Sequence, residues 1–523
     1  HKRDMRKKIL LINPGHDNEH EIFKHKSHRL IHRDPPPIAS LYIATYLYEN
    51  GYKPKIIDTH IENDYLSAIK KELADNDYLY VGITVIIGKF LKNAEELTYF
   101  IRGINPDIPI VWGGIMASIF PDEVLSAYGP DYVIRYEGEE TALELADALK
   151  NHGSIDKIKG LSYIKDGSIV HNEPRLPQSN LDQYPIPKWE LLGKAFNKEQ
   201  IPYYYLIMSS RGCPYNCSFC YKHSFDEGFK RNAPAWRYRS AEHIIKEIEY
   251  IYNKTGARVF TFGDDNFFVN KNRALEILSY FREKNFYIEE VIGHLSCIDD
   301  DVISAMGGIV QTFIFSVETA SPRLQKYINK NLDLSDIPGK VKKLYEQGIV
   351  SPVSFIIGLP TEEKEDLRKN IDLMIKLKKI NPFIRGNNYL FLPLPKTKLF
   401  NIVENIYNLD LPKDITLYKD ANFWVKSIDD PVGKKFRPWM SDKYFKFLVL
   451  YGIVFNDIFK MCNIELSDET KKILEQDQDI KEMFEGVEFV NRPLARYRPY
   501  ILDKILNNEQ IDLIKGLENY VKK

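Results

Sequence analysis

The chain has 523 residues, too many for one ordinary core, so two or three domains are expected. Lys and Arg total 72 against 73 Asp and Glu, a net charge of -1, which excludes the strongly basic footprint of a dedicated nucleic-acid binder. Hydrophobic residues at 44% and charged residues at 28% exclude pervasive disorder, and five cysteines, an odd count, exclude a disulfide scaffold. Three of the five, Cys213, Cys217 and Cys220, fall within eight positions, which reads as an intracellular metal site and a cytoplasmic protein. The first residues, His1 to Lys8, are basic and polar rather than a secretory signal, and His1 to Asp4 read as a remnant ahead of Met5. No run of about 18 apolar residues occurs. The longest candidate, Phe445 to Phe459, is broken by Lys446 and Asp457 and reads as a buried helix, with peripheral membrane contact left open. There is no fixed-period repeat.

In the first 150 residues, strand-like runs at Ile9–Ile12, Lys55–Asp58, Tyr78–Thr84, Ile108–Trp112 and Tyr132–Arg135 alternate with helical patterns. The helical patterns are Leu41–Glu49, Asp64–Ala74, Leu91–Arg102, Glu123–Ala127 and Thr141–Leu149. Five β/α units in series imply a parallel sheet with helices on both faces, a flavodoxin-like (Rossmann-type) domain over residues 5–150. Ligands bind such sheets outside the carboxyl ends of the strands. The third strand ends in Gly82-Ile83-Thr84-Val85, with a hydroxyl at its tip. The fourth ends in Gly113-Gly114-Ile115-Met116-Ala117-Ser118, where paired glycines form either a tight turn or a close approach for a ligand. The fifth ends in the acidic loop Tyr136-Glu137-Gly138-Glu139-Glu140.

Together with Pro35-Pro36-Pro37-Ile38-Ala39-Ser40-Leu41 and Gly51-Tyr52, these ends resemble the cobalamin-binding domain at the front of many radical S-adenosylmethionine (SAM) enzymes, over about residues 8–150. The resemblance implies cobalamin contacts at Thr84, Val85, Gly113, Gly114, Ser118, Glu137 and Gly138. Domains of this kind that ligate cobalt from below carry Asp-x-His-x-x-Gly after the first strand, and nothing there matches. Asp58-Thr59-His60 follows the second strand and lacks the glycine, so it reads as coincidence. The missing motif implies cobalt without a protein histidine beneath it. His16, His20, His25, His28 and His32, between Pro14 and Pro35, form either a solvated loop or a loop with one imidazole approaching the corrin.

Residues 151–200 read as a linker, with Gly153, Gly160 and Gly167 and then Pro174, Pro177, Pro185 and Pro187. Next comes Arg211-Gly212-Cys213-Pro214-Tyr215-Asn216-Cys217-Ser218-Phe219-Cys220-Tyr221. Thiolates at this spacing on a loop can hold three corners of a cubane iron–sulfur cluster and leave one iron open. Zinc, with His223 as a fourth ligand, is the alternative. The Cys-x-x-x-Cys-x-x-Cys pattern resembles the radical SAM superfamily, in which SAM chelates the open iron of a 4Fe–4S cluster and is cleaved to a 5′-deoxyadenosyl radical. The hard chemistry is then the cofactors', and no residue is assigned a catalytic role.

Strand-like runs at Val259–Gly263, Tyr287–His294, Thr312–Val317, Val353–Gly358 and Tyr389–Leu392, separated by helical patterns such as Ala241–Tyr252 and Ala274–Lys284, fit that superfamily's partial TIM-type (β/α)6 barrel over residues 201–400. The Tyr203-Tyr204-Tyr205 run supplies the first strand. By resemblance, Phe219 lies near adenine, Asp264 and Asp265 meet the SAM ammonium, and Glu318 and Gly358 stand at cofactor-contacting strand ends. Without the resemblance, Asp264 and Asp265 read as a helix cap. The family's Pro-Gly-Thr at the sixth strand is Pro395-Lys396-Thr397 here, which leaves the backbone path there open. Cys297 and Cys462 read as inert packing, with Cys297 pointing into the barrel as the alternative. Residues 401–523 turn helical, as at Lys443–Phe459 and Asp468–Phe484, and would cap the barrel. Trp424, Trp439, Arg437, Arg492, Arg496 and Arg498 frame either a substrate or an interdomain contact.

The domain order resembles the class B radical SAM methyltransferases. That implies two SAM molecules, one methylating cob(I)alamin and one yielding the radical that takes a hydrogen from an unactivated carbon, after which the substrate radical takes the methyl group. The partners implied are a small-molecule or peptide substrate and an external electron donor of flavodoxin or ferredoxin type. Cyclisation or ring rearrangement without methyl transfer is the alternative, and a non-catalytic cobalamin sensor a second. A methylthiotransferase would need three more cysteines near the N-terminus, yet the first here is Cys213.

Overall fold

The computed structural model describes residues 7–15, 35–196, 205–222, 234–407, 415–419, 434–459 and 466–487, apart from residues 63, 76, 383 and 486. The histidines of the 16–32 loop, Tyr203, Tyr204, His223, Trp424, Cys462, Arg492, Arg496 and Arg498 lie outside those residues.

Strands β1 (Lys8–Asn13), β2 (Lys53–Asp58), β3 (Tyr78–Thr84), β4 (Ile110–Gly113) and β5 (Tyr132–Ile134) form a parallel sheet in the order β2-β1-β3-β4-β5. Alternation along β1 divides its side chains between two cores. Leu10 and Ile12 pack with Ile69, Leu91, Ala94 and Leu97 of α2 (Tyr65–Asp75) and α3 (Lys89–Ile104). Ile9 and Leu11 pack with Ala44, Leu47, Ala142 and Leu145 of α1 (Ile38–Glu49) and of the helix Glu139–Asn151. Helices therefore cover both faces, and the chain reverses direction across the sheet between β1 and β3, where a crevice opens. The stretch expected to be only a linker adds two antiparallel strands to this sheet, β6 (Leu161–Lys165) and β7 (Ser168–His171). Leu161 and Tyr163 are buried there because they complete the core on the side of the helix Glu139–Asn151.

A second sheet has six parallel strands, β8 (Leu206–Ile207), β11 (Val259–Phe262), β12 (Tyr287–Ile292), β13 (Val310–Glu318), β14 (Pro352–Ile357) and β15 (Arg385–Leu390), adjacent in chain order. Between them lie helices such as Ala241–Thr255, started by the Ser240 side chain accepting from the His243 amide and ended by Gly256 at φ 74°. This is an open six-stranded partial barrel. The helix Asp442–Phe459 is the apolar run that the sequence marked as buried. It packs on the last two strands, with the rings of Phe355 and Phe455 5.7 Å apart. Among the described residues no helix is long and apolar enough to cross a membrane. The chain beyond the barrel also returns to the first domain: Ile415, Tyr418 and Phe436 are buried in the same core as Leu10, Leu91 and Trp112.

A candidate active site between the two sheets

Two short strands, β9 (Ser210–Gly212) and β10 (Trp236–Tyr238), pair antiparallel and deliver the chain to Cys213. Gly212 sits at φ 82°, and a Cβ there would collide with the carbonyl oxygen of Ala235, so the turn into the cysteine loop needs glycine. The loop is fastened from two sides. The Ser218 amide donates to Ile328 O at 2.9 Å and Asn329 Nδ2 to Asn216 O at 2.7 Å. From beyond β15, Lys398 Nζ donates to Asn216 Oδ1 at 2.7 Å and the Leu399 amide to Ser218 O at 2.8 Å. Phe219, expected near adenine, is half-buried and packs on one side against the cluster of Leu324, Ile328, Leu359, Phe391 and Leu399. It anchors the loop to the barrel.

Cys213, Cys217 and Cys220 are free thiols, Cys217 buried and the other two half-buried. Burial pushes all three thiols up, Cys220 to about 12, so each stays neutral until a metal displaces its proton. Among the described residues no three Cys, His, Asp or Glu side chains converge as on a single ion. Three thiols on one fastened loop are the donor set of a cluster whose corners are separate irons, and they fit it.

The adjacent aspartates part company. Asp264 is fully buried and accepts from the Ser209 amide at 3.2 Å, from Ser209 Oγ at 2.8 Å and from Ser210 Oγ. Its oxygens are consumed holding the strand that leads to Cys213, so the expected ammonium contact does not fit it. Asp265 faces the cavity described below and pairs with Lys222 Nζ at 2.9 Å. Glu318 ends β13 at φ 66° and pairs with Lys330 Nζ at 3.4 Å, while burial raises its carboxyl. Gly358, at φ 79°, lies under Met440, whose Cε is 2.9 Å from where a Cβ would stand. Lys396 does adopt the left-handed conformation that glycine would take, at φ 65°. Its ammonium reaches across to the carbonyl of Ile119 in the first domain.

Cys297 is half-buried and packs against the barrel core, as the packing reading expects. Its sulfur lies 3.2 Å from Tyr215 Oη and 3.4 Å from Asn266 Nδ2, beside the cysteine loop. The Tyr215 ring stacks on His294 at 3.8 Å. Of the other residues the sequence singled out near the C-terminus, Arg437 is buried and donates to Leu390 O at 3.4 Å, and Trp439 packs against Phe391. Both are packing contacts.

A cavity of about 330 Å³ opens at the carboxyl edge of the first sheet and reaches the barrel. Thr84, Gly113, Gly114, Glu137 and Gly138 line it from the first domain, and Met208, Ser210, Arg211, Gly212, Lys222 and Asp265 from the second. Gly114, at φ 98°, is closely packed, with its missing Cβ 2.7 Å from Val85 O. Val85 and Ser118 are buried outside the lining. Ser118 Oγ donates to Gly114 O at 2.8 Å and accepts from the Tyr136 amide at 2.7 Å, so it ties two of the loops together. The apolar walls and the three glycine-bearing strand ends fit a broad, flat ligand brought against the backbone. The sequence reading missed Ser40, Tyr42, Arg211 and Arg237 in the lining. Ser40, in the proline-led run before α1, and Arg211, beside the cysteine motif, carried a visible signal; Tyr42 and Arg237 did not.

The cavity thus joins the two sheets, and the comparisons divide the chain in the same way. Residues 30–146 match the model of the B12 binding domain and residues 207–374 that of the Radical SAM superfamily. An uncharacterized methyltransferase of Pyrococcus horikoshii is 31% identical over 71% of this chain and 78% of its own. The chain belongs to the cobalamin-binding radical SAM family. As a radical SAM enzyme of that family it uses a 4Fe–4S cluster, SAM and cobalamin. An anaerobic magnesium-protoporphyrin IX monomethyl ester cyclase of Synechocystis is 24% identical over 67% of this chain and 68% of its own. The cobalamin-dependent SAM radical enzyme OxsB shares the fold, with a TM-score of 0.64 at 17% identity over 99% of this chain and 81% of its own.

Proposed function

We propose that this enzyme is a C-methyltransferase that moves a methyl group from SAM, by way of cobalamin, to an unactivated carbon of a small-molecule or peptide substrate. When bound, the cofactors supply the methyl carrier and the 5′-deoxyadenosyl radical that removes the substrate hydrogen. The chain's own part is to bind, orient and exclude water. Cys213, Cys217 and Cys220 hold the cluster. Thr84, Gly113, Gly114 and Gly138 bed the cobalamin, with Asp265 and Glu318 on the SAM side. Electrons arrive from an external flavodoxin- or ferredoxin-type donor.

The observation that supports this most is the shared cavity. Gly113 and Gly114 line one space with Gly212 and Lys222, which flank the cysteine loop, so a carrier seated at those glycines would lie beside the cluster's loop, as transfer through a shared site requires. The methyltransferase name of the Pyrococcus relative supports it too. The cyclase relative favours a second reading, ring closure without methyl transfer.

The test is anaerobic incubation of the reconstituted enzyme with reductant, a metabolite extract and SAM carrying an isotopic methyl group. Labelled product appearing with both S-adenosylhomocysteine and 5′-deoxyadenosine supports methyl transfer. Deoxyadenosine without S-adenosylhomocysteine supports the cyclase reading instead.

A further inference from the structure

One wall of the cavity is built of paired charge from both domains. Arg211 stands two residues before Cys213. Its guanidinium meets Glu137 Oε2 at 3.2 Å, on the loop after β5 of the first domain, and Glu139 Oε1 at 2.5 Å, at the first residue of the helix that follows. Arg237, on β10 opposite Arg211, meets Glu137 Oε1 at 2.5 Å. The rings of Tyr42 from α1 and Tyr184 lie 5.5 and 5.1 Å from the Arg211 guanidinium. Glu139 and Arg237 are buried, and the attraction of the two arginines holds the Glu137 carboxyl below the ordinary carboxylate range against the effect of burial. A forked guanidinium gripped by two carboxylates and two rings has little freedom to move alone. The loop that bears Glu137 and Gly138 cannot shift without displacing the strand that enters the cysteine loop.

We propose that Arg211 is a positioning residue that couples cobalamin binding to the iron–sulfur loop, so that each cofactor strengthens the hold on the other. This rests on the assignment of the cavity to cobalamin. A ligand seated against Gly138 fixes the β5 loop, Glu137 and Glu139 fix Arg211, and Arg211 fixes the approach to Cys213. Coupling between binding sites is reciprocal, so it can be read from either side.

The experiment measures the Kd of aqua-cobalamin, by absorbance titration, for the full-length protein with its cluster reconstituted and with the cluster removed by a chelator. The ratio of the two constants is taken separately for wild type, Arg211→Lys and Glu139→Gln. Dividing each protein's own constants removes any direct contribution of the altered side chain to cobalamin binding. The wild-type ratio is expected at about fivefold or more, falling to about one in Arg211→Lys and to an intermediate value in Glu139→Gln. As the reciprocal readout, cobalamin slows chelator-driven iron loss in wild type, less in Glu139→Gln and not in Arg211→Lys. A wild-type ratio of one, or variants that keep the wild-type ratio, overturns the coupling. Absence of cobalamin binding in wild type overturns the cavity assignment, and the coupling with it. Should Arg211→Lys fail to fold, Glu139→Gln, which leaves Arg211 paired with Glu137, decides the matter.

Discussion

Asp264→Asn separates a cofactor ligand from a wall residue. The asparagine keeps one oxygen for the hydroxyls of Ser209 and Ser210, which both donate to Oδ1 in the native site. Its amide then faces the Ser209 N–H in place of Oδ2, so a hydrogen bond to a charged acceptor, worth about 1.5–3 kcal/mol, is lost. The buried Arg273 guanidinium, which donates to Ser209 Oγ at 3.0 Å, also loses the negative charge nearest that hydroxyl. Together these amount to about 3 kcal/mol, which in a barrel of this size lowers the thermal transition by about 6–12 °C. Calorimetry under anaerobic conditions reads the shift, and equilibrium dialysis reads SAM affinity. SAM should bind the folded variant within about twofold of wild type, a change of less than about 0.5 kcal/mol. An unshifted transition with SAM affinity down tenfold or more would refute this reasoning and restore Asp264 as a ligand.

Gly114→Ala places a side chain in a backbone region open almost only to glycine and against Val85 O, at a cost of about 3 kcal/mol. Cobalamin titration should show weakened binding with iron content unchanged. Cys297→Ala should keep full cluster iron by chemical analysis, because its sulfur serves Tyr215 and Asn266, whereas Cys217→Ala should lose it. His294 has its pKa pushed down to about 3, by burial first and then by Lys330 and Lys340. The unfolded chain therefore takes up a proton that the folded one refuses. Stability from this group is complete above about pH 6.5 and is lost as pH falls, by up to about 1.4 kcal/mol per unit, until about pH 3. Denaturation curves of His294→Gln should be flatter over that window; an unchanged slope counts against the assignment. Lys396→Gly keeps the left-handed turn but removes the ammonium from Ile119 O, so limited proteolysis between the domains should become faster.

The parts of this protein written in local pattern were legible. The apolar run Ile9 to Ile12 and the five β/α units in series pointed to the first sheet, and the cysteine spacing marked its loop. What escaped depends on contacts distant in sequence. Asp264 and Asp265 are neighbours with identical chemistry, and only the presence of Ser209 and Ser210, some 55 positions away, turns one into the wall. Phe219 is aromatic in either role, and the apolar surface around Leu359 and Phe391 that it packs on comes from residues more than 100 positions away. Residues 161–171 were hidden among glycines and prolines because antiparallel edge strands need only a partner, here β5, and not a long apolar run. Lys396 in a glycine position was visible as an oddity. Its reason lies in another domain.

Ile415, Tyr418 and Phe436 have a consequence for how such enzymes can be recombined. Tyr418 Oη donates to Pro393 O at 3.2 Å, the Gly88 amide donates to Tyr418 O at 3.0 Å, and the Tyr418 ring lies 5.6 Å from that of Phe120. One tyrosine from the last quarter of the chain thus plugs the seam between the first and second sheets. A front domain transplanted from a relative would meet a plug cut for a different socket, and a front domain expressed alone would present an empty one. Exchange of modules should therefore succeed only when the tail travels with the head.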